Sequence, residues 1–279
     1  PPRARGAGGG RAGEGVGVVP GPPGGGRAGG APPAARARHW SYVSSVSAYA
    51  EHGRPGADES AALLPPARQA EVGRDVYGEA KVACEEASAD AVGDRLLIAR
   101  AGLIGGPGDA SGRTGYWVAR AARDPLAPLL VPDSPDLLTQ AIDVRDLAAW
   151  LLDRAENGTT GTYDAVGPVV PFTEWVALSR EVGGHTGPVV EADPDWLLAQ
   201  GVERFMGPES LAMWMPDRDW AGFGARSGAA AVAAGLHHRP RADLLKDTLR
   251  WEREAGLARP RRAGLSTARE HALLDLLTP

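Results

Sequence analysis

Two continuous apolar runs are the clearest pattern along the chain. HWSYVSS (39–45) and RLLIARAGLI (95–104) are rich in aromatic, β-branched and aliphatic residues, which is typical of strands buried on both faces of a parallel sheet. Segments of helical periodicity follow them, and GTYDAVG (161–167) is again strand-like. Because strands that alternate with helices indicate βαβ units, the pattern predicts an α/β fold with a mainly parallel sheet.

Six helical segments are predicted from the spacing of apolar residues. The first is expected from about Val76 to Ala91, after a long polar loop that reaches to about Asp75. In residues 139–156 the pattern predicts a short strand, a turn at Asp143 and then a helix with Asp146 in its first turn. The remaining helices are predicted at 114–123, 172–183, 227–236 and 241–256.

Composition separates the first 38 residues from the rest. They contain 13 Gly and 7 Pro but no Leu, Ile or aromatic residue, so they bury too little apolar surface to offset the entropy of ordering. We expect residues 1–38 to be a disordered, low-complexity segment. G-x-G-x-x-G occurs twice in it, at Gly8 and at Gly24, but no apolar strand precedes either copy and no helical pattern follows. Neither copy is therefore interpreted as a dinucleotide-binding turn.

Charge and cysteine content exclude several classes of protein. The formal net charge is −5, so a nucleic-acid partner is not expected, and no apolar run is long enough to suggest a membrane partner. Cys84 is the one cysteine, which excludes an intrachain disulfide and favours a cytoplasmic location. No two of the six histidines have the spacing of a helical metal site, so no metal site is expected.

Tyr77 and Lys81 are the main candidates for chemistry. The chain has only two lysines against 28 arginines, and this lysine lies four residues after a tyrosine, so both side chains share one face of the predicted helix. A nearby ammonium is expected to lower the pKa of the tyrosine and to suit it to acid–base catalysis. Ser45, at the carboxyl end of a predicted strand, would provide a second hydrogen bond to a substrate oxygen.

Structural roles compete with these functional ones. A tyrosine and a lysine at this spacing also occur as an ordinary surface pair on a helix. Cys84 is expected to pack in the core, and Asp143 and Asp146 to cap a helix. Tyr116 and Trp117 fit either a substrate pocket or core packing.

Five motifs occur together in family-like order, and jointly they carry a resemblance. They are YVSSVSAYA (42–50), YGEAKVACEE (77–86), RAGLIGGPGD (100–109), IDVRDLAAWLL (142–152) and GTYDAVGP (161–168). The chain resembles the extended short-chain dehydrogenase/reductases of the NAD-dependent epimerase/dehydratase family over roughly residues 40–255. This resemblance implies a Rossmann-like fold with a small C-terminal substrate domain.

The resemblance also implies roles for particular residues. Ser45, Tyr77 and Lys81 would be catalytic; Tyr77 and Lys81, with Ala101, Gly102 and Leu103, would bind NAD or NADP. It implies oxidoreductase or epimerase chemistry on a small-molecule substrate and leaves room for a homodimer. The expected domains are 39–168, the remainder of the dinucleotide-binding domain, and 169–279, a mainly helical substrate region. The family has Arg-Pro where this chain has Arg100-Ala101.

The family opens with a strand and a glycine-rich cofactor turn, which residues 1–38 do not supply. We therefore expect that the N-terminal cofactor-binding part is missing or frameshifted, with a genuine flexible tail as the alternative. Activity would be impaired by this loss. The rival function is a non-catalytic remnant or binding protein of the same fold.

Overall fold

The computed structural model describes residues 37–69 and 73–277. Sequence analysis predicted that residues 1–38 are disordered. Residues 1–36 of this segment lie outside the described part. The strands are β1 (Trp40–Ser45), β2 (Leu96–Ala101), β3 (Ile104–Gly105), β4 (Leu129–Pro132), β5 (Leu138–Thr139), β6 (Ile142–Asp143), β7 (Gly161–Ala165), β8 (Val170–Pro171), β9 (Val189–Ala192), β10 (Glu203–Phe205) and β11 (Ser210–Ala212). The helices are α1 (Tyr77–Val92), α2 (Tyr116–Arg123), α3 (Val144–Glu156), α4 (Phe172–Gly183), α5 (Pro194–Ala199), α6 (Ala229–Ala233), α7 (Arg241–Ala255) and α8 (Thr267–Leu277).

A three-stranded parallel sheet in the order β1-β2-β7 organises the first half of the described chain. Ser45 pairs with Ala101, and Ala101 pairs with Ala165, so the carboxyl ends of the three strands meet at one edge. The pairs β3–β6, β4–β9 and β10–β11 are also parallel, and β5–β8 is antiparallel. The prediction of an α/β fold with a mainly parallel sheet is confirmed.

The second predicted strand is shorter than expected because the chain changes partner at its end. Gly102 N–H donates to the carbonyl of Ala165 at 3.2 Å, and the carbonyl of Leu103 accepts from Ile142 N–H at 2.9 Å. These bonds move the chain from pairing with β7 to pairing with β6. The run 95–104 therefore forms β2 and the two-residue β3 instead of one strand.

Apolar residues pack on both faces of this sheet. Leu97 and Ala99 of β2 pack with Leu147 and Trp150 of α3. A smaller cluster behind β1 joins Tyr42, Val92 and Leu96, with Cys84 of α1 packed against it. Burial of each large apolar side chain stabilises the fold by about 1.5–3 kcal/mol. The prediction that Cys84 is a packing residue is confirmed.

The largest core cluster joins α2 and β4 to the C-terminal helices α4, α7 and α8. Tyr116 and Trp117 are both buried in it, and Trp117 Nε1 donates to the carbonyl of Ala212 at 2.8 Å. Core packing is thus the correct one of the two roles left open for these residues.

Helix ends follow the expected chemistry. The Asp143 carboxylate accepts from the Arg145 N–H at 2.8 Å and caps α3, as predicted. Helix α4 ends at Gly183, and the following Gly184 caps it in the left-handed conformation with φ 75°. Throughout the described part, every helix is either too short or too polar to cross a lipid bilayer.

Candidate functional site

Ser45 is the last residue of β1, and its side chain is held at the edge of the sheet. Its hydroxyl oxygen accepts from the Ser47 N–H at 3.1 Å and caps the short 3-10 turn Val46–Ala48. The turn diverts the backbone away from β2 while Ser45 Oγ stays at the carboxyl edge. This edge is where ligands bind in open α/β sheets.

Tyr77 begins helix α1, and its hydroxyl lies close enough to the Ser45 side chain for Ser45 to favour the ionised form of the phenol. The tyrosine is 48% exposed, so a substrate has access to the pair. The structure therefore places near each other the two residues that sequence analysis expected to contact the same substrate oxygen.

Lys81 lies one turn further along the same face of α1. Its Nζ donates to the carbonyl of Val43 at 3.0 Å and lies 5.2 Å from the ring centroid of Tyr42 and 5.7 Å from that of Tyr77. Both ring distances are within the range of cation–π attraction. An ammonium has three N–H donors, so donors remain beyond the one bound to β1.

The expected lowering of the Tyr77 pKa is wrong for this structure. Partial burial raises the pKa of Tyr77 above its ordinary value, and the nearby Ser45 side chain and the charge of Arg113 offset only part of that rise. Burial also lowers the pKa of Lys81. Lys81 is directed to β1, so the cation acting on the Tyr77 hydroxyl is Arg113. Tyr77 is consequently protonated at neutral pH.

Glu85, the next residue on this face of α1, anchors the helix to the sheet. Its carboxylate accepts two hydrogen bonds from the Arg100 guanidinium, at 2.7 and 3.0 Å, and both side chains are buried. Arg100 Nη1 also donates to the Tyr49 hydroxyl at 3.1 Å. Two parallel hydrogen bonds between an arginine and a carboxylate hold the two side chains in one relative orientation and also pair their charges. Tyr77, Lys81 and Glu85 are therefore placed as a set.

A buried polar network continues from Tyr49 beneath the site. Tyr49 donates to Asp164 Oδ1 at 2.7 Å, and Arg226 Nε donates to Asp164 Oδ2 at 2.7 Å. The Arg226 guanidinium lies 3.5 Å from the ring centroid of Tyr49. Desolvation raises the pKa of Asp164, although both partners favour its charged form. The network joins β7, the loop after β1 and the C-terminal part of the chain.

Ala101, Gly102 and Leu103 lie at the same sheet edge, at the end of β2. Ala101 and Leu103 are buried, and the Gly102 N–H and the Leu103 carbonyl are engaged in the sheet as described above. The assignment of these three residues to a cofactor site stays a prediction. Because two of their main-chain groups already bond within the sheet, fewer are left to bind a cofactor.

Gly78 explains how closely α1 approaches the Ser45 turn. A Cβ at this position would lie 2.2 Å from the carbonyl oxygen of Ser47 and 2.5 Å from Leu64 Cδ1. Real side chains do not tolerate such distances, so any larger residue would push Tyr77 away from Ser45.

Replacing Gly78 by Ala is expected to destabilise the protein by about 1–3 kcal/mol through overpacking. In an uncrowded helix the same change stabilises by up to about 1 kcal/mol, so the sign of the effect identifies the clash. Urea unfolding measures it, with Ala87→Ser on the exposed face of α1 as a control expected within about 0.5 kcal/mol of wild type. A stabilised Gly78→Ala protein would contradict the close approach.

Sequence reasoning missed Arg113 and the anchoring role of Glu85. Arg113 lies in a glycine-bearing loop without helical or strand periodicity, so no local pattern marks it. Glu85 continues the i, i+4 series of Tyr77 and Lys81, and that series was a usable signal. In the described ranges no group of three or more His, Cys, Asp or Glu side chains could hold a metal ion.

Comparisons with known proteins bear on the fold. No family model matches the sequence, and no curated protein matches it. Among solved structures, a Burkholderia cenocepacia J2315 protein described as an epimerase is 21% identical, with a TM-score of 0.55 over 80% of this chain and 68% of its own. UDP-glucuronic acid 4-epimerase from Bacillus cereus, in complex with NAD, is 13% identical, with a TM-score of 0.53 over 79% of this chain and 63% of its own.

A third solved structure is UDP-glucose 4-epimerase from Thermus thermophilus, in complex with NAD. It is 16% identical, with a TM-score of 0.51 over 80% of this chain and 68% of its own. At this level of identity the likeness concerns the fold. The chain therefore has a Rossmann-type α/β fold similar to the fold of these epimerase structures.

Proposed function

We propose that the chain is an NAD(P)-dependent oxidoreductase or epimerase that acts at a carbon bearing a hydroxyl or carbonyl group. The observation that carries this proposal is the placement of Tyr77, at the start of α1, beside Ser45 at the carboxyl edge of a parallel sheet, with Lys81 one turn away. The solved structures of similar fold that contain NAD support the choice of cofactor. In this proposal residues 39–168 hold the cofactor and residues 169–279 form the substrate region.

The described side chains can carry out the proton chemistry of such a reaction. Ser45 donates a hydrogen bond to the substrate oxygen and polarises it, and Tyr77 gives a proton to that oxygen during reduction or takes one during oxidation. Lys81 uses its remaining N–H donors to hold a ribose hydroxyl beside Tyr77. When bound, the nicotinamide supplies or accepts the hydride.

The residues fit one half of the cofactor better than the other. Tyr77 and Lys81 provide donors for the nicotinamide ribose, whereas residues 1–36, by their sequence, supply no apolar strand ahead of a phosphate-binding turn. We infer that this chain binds the dinucleotide weakly, because main-chain amides at such a turn provide many of the hydrogen bonds that bind a pyrophosphate.

Calorimetric titration with NAD and with NADP tests both parts of the proposal. We expect dissociation constants weaker than about 100 μM for the wild-type chain, further weakening for Lys81→Ala, and no change for Lys246→Ala. Lys246 is an exposed residue of α7 and the only other lysine, which makes it a matched control. Equal binding by all three proteins would remove Lys81 from the cofactor site, and a constant in the low micromolar range would contradict the inferred weakness.

A non-catalytic role is the second candidate, and it is favoured by the same shortage of pyrophosphate contacts. The two are separated by turnover, measured as the consumption of NADH or NADPH at millimolar concentration with a panel of carbonyl compounds. Turnover that depends on Tyr77 supports an enzyme. Its complete absence, together with an absence of dinucleotide binding, supports a binding protein that retains the fold.

A further inference from the structure

We propose that Arg113 anchors the substrate of this site, and that the substrate carries a phosphate or carboxylate group near the carbon that reacts. The proposal rests on the proposed function for the position of the reacting carbon. Arg113 belongs to the loop between β3 and α2, and its charge acts on Tyr77, but the proposed function gives it no contact with the substrate.

The loop that carries Arg113 is held by an internal set of hydrogen bonds. Asp109 Oδ1 accepts from the Ser111 N–H at 2.9 Å and from the Ser111 hydroxyl at 2.5 Å. Asp109 Oδ2 accepts from the Thr114 N–H at 3.3 Å and from the Thr114 hydroxyl at 3.0 Å. The loop is therefore organised before any ligand arrives, which reduces the entropy lost on binding.

The guanidinium of Arg113 is fixed at one end and available at the other. Nε donates to the Ser111 hydroxyl at 3.1 Å, and Cζ lies 4.9 Å from the ring centroid of Phe205. Within the described ranges, no side chain or carbonyl accepts a hydrogen bond from its two terminal nitrogens. A planar fork with two unused NH2 groups matches the oxygens of a phosphate or a carboxylate.

Phe205 supports this arrangement at a cost in backbone strain. Its φ is +60°, in the left-handed region that aromatic residues rarely adopt. The conformation is held because its N–H donates to the Trp214 carbonyl at 2.8 Å, and its carbonyl accepts from the Met213 N–H at 3.3 Å. The ring also packs edge-on against Phe223, with centroids 5.5 Å apart. Such strain is concentrated at functional sites, and here it places a ring under a cation.

The charge around the site favours an anion. Arg113 lies close enough to Tyr77 for the two groups to shift each other's pKa. Among the described residues, the carboxylate whose charge acts on Arg113 is that of Asp109, and both its oxygens already accept hydrogen bonds from Ser111 and Thr114. On the side of the reacting oxygen, an anionic group of the substrate could therefore accept hydrogen bonds from the two terminal nitrogens of Arg113, which have no acceptor among the described residues.

The test compares inorganic phosphate, acetate and glycerol as probes, titrated calorimetrically at low ionic strength. We expect the wild-type chain to bind phosphate or acetate and not glycerol. Arg113→Gln should weaken anion binding at least about tenfold. Arg113→Lys should weaken it less, because lysine keeps the positive charge but cannot form two parallel hydrogen bonds. Arg250→Gln, an exposed position on α7, is the control and should bind like wild type. Tighter phosphate binding indicates a phosphorylated substrate, and tighter acetate binding a carboxylated one.

A second readout separates anchoring from a general loss of structure. A bound anion neutralises Arg113 and should raise the pKa of Tyr77, seen as a shift of the tyrosinate absorbance that is present in wild type and absent in Tyr77→Phe. Failure of both anions to bind, or equal binding by wild type and Arg113→Gln, overturns the proposal. These titrations use no nicotinamide, so their failure is distinct from a failure of Lys81-dependent dinucleotide binding, which bears on the proposed function.

Discussion

Replacing Tyr77 by Phe is expected to lower turnover by about 10²–10⁴-fold, the usual contribution of a positioned acid–base group. The substitution removes only the hydroxyl beside Ser45, so the fold and the affinity for the dinucleotide should change little. Steady-state rates at saturating NADPH with a carbonyl substrate measure the effect. Tyr163→Phe is the matched control, because its hydroxyl bonds to the Thr160 carbonyl at 3.1 Å, away from the site, and its turnover should equal that of wild type.

The role of Tyr77 also predicts how the reductive and oxidative rates depend on pH. Because the pKa of Tyr77 is raised, the residue keeps its proton through the neutral range, and the reductive rate should be insensitive to Tyr77 ionisation there. Oxidation needs the deprotonated form, so its rate should rise about tenfold per pH unit from neutrality towards the raised pKa. An oxidative rate that is flat over this range, or a Tyr77→Phe protein with wild-type turnover, would remove Tyr77 from the mechanism.

Loss of the Glu85 charge is the change from which we expect the largest loss of stability. Glu85→Gln leaves the buried Arg100 guanidinium without its counter-charge, and breaking one partner of a buried pair costs about 3–5 kcal/mol. Total stabilities are about 5–15 kcal/mol, so a marginal fold would unfold. The free energy of unfolding in urea is the measurement, and a lowered midpoint with an unchanged slope is the expected form.

The neighbouring residue provides a control for the Glu85 experiment. Glu86 pairs with Arg68 at 3.2 Å on the surface, with both side chains well exposed, and Glu86→Gln should cost less than about 1 kcal/mol. A double replacement of Glu85 by Leu and Arg100 by Met should recover much of the loss, since apolar residues of similar volume can substitute for a buried pair. Equal effects of Glu85→Gln and Glu86→Gln would show that the buried pair does not anchor α1.

Local patterns predicted the elements that carry the proposed catalytic group and little of what surrounds it. The apolar run before Ser45 and the four-residue spacing of Tyr77 and Lys81 depend on neighbours in sequence, so β1 and α1 were predicted nearly to the residue. The start of β2 was predicted equally well, but its end was placed three residues too late. The pairing of β4 with β9, and of β10 with β11, joins strands of three or four residues, too short to show a period. Helix α8 was not predicted either.

The pKa of Tyr77 shows why the site could not be completed from sequence. Spacing placed Lys81 beside Tyr77, but spacing says nothing about burial or about which carbonyl the ammonium binds. Arg113 reaches the site from 36 positions away, through a loop shaped by Asp109. Effects of this kind depend on the packed structure, so they become visible only when the elements are assembled.

The polar network around Asp164 has a consequence for how the protein folds as it is synthesised. Asp164 is bonded to Tyr49, 115 positions earlier, and to Arg226, 62 positions later. At about 5–20 residues per second, a ribosome adds those 62 residues in roughly 3–12 s. During that interval the nascent chain holds a carboxylate whose cationic partner has not yet been made. Asp164 of β7 therefore acquires its full set of polar contacts only after translation has passed residue 226, and contacts of such high order slow folding further.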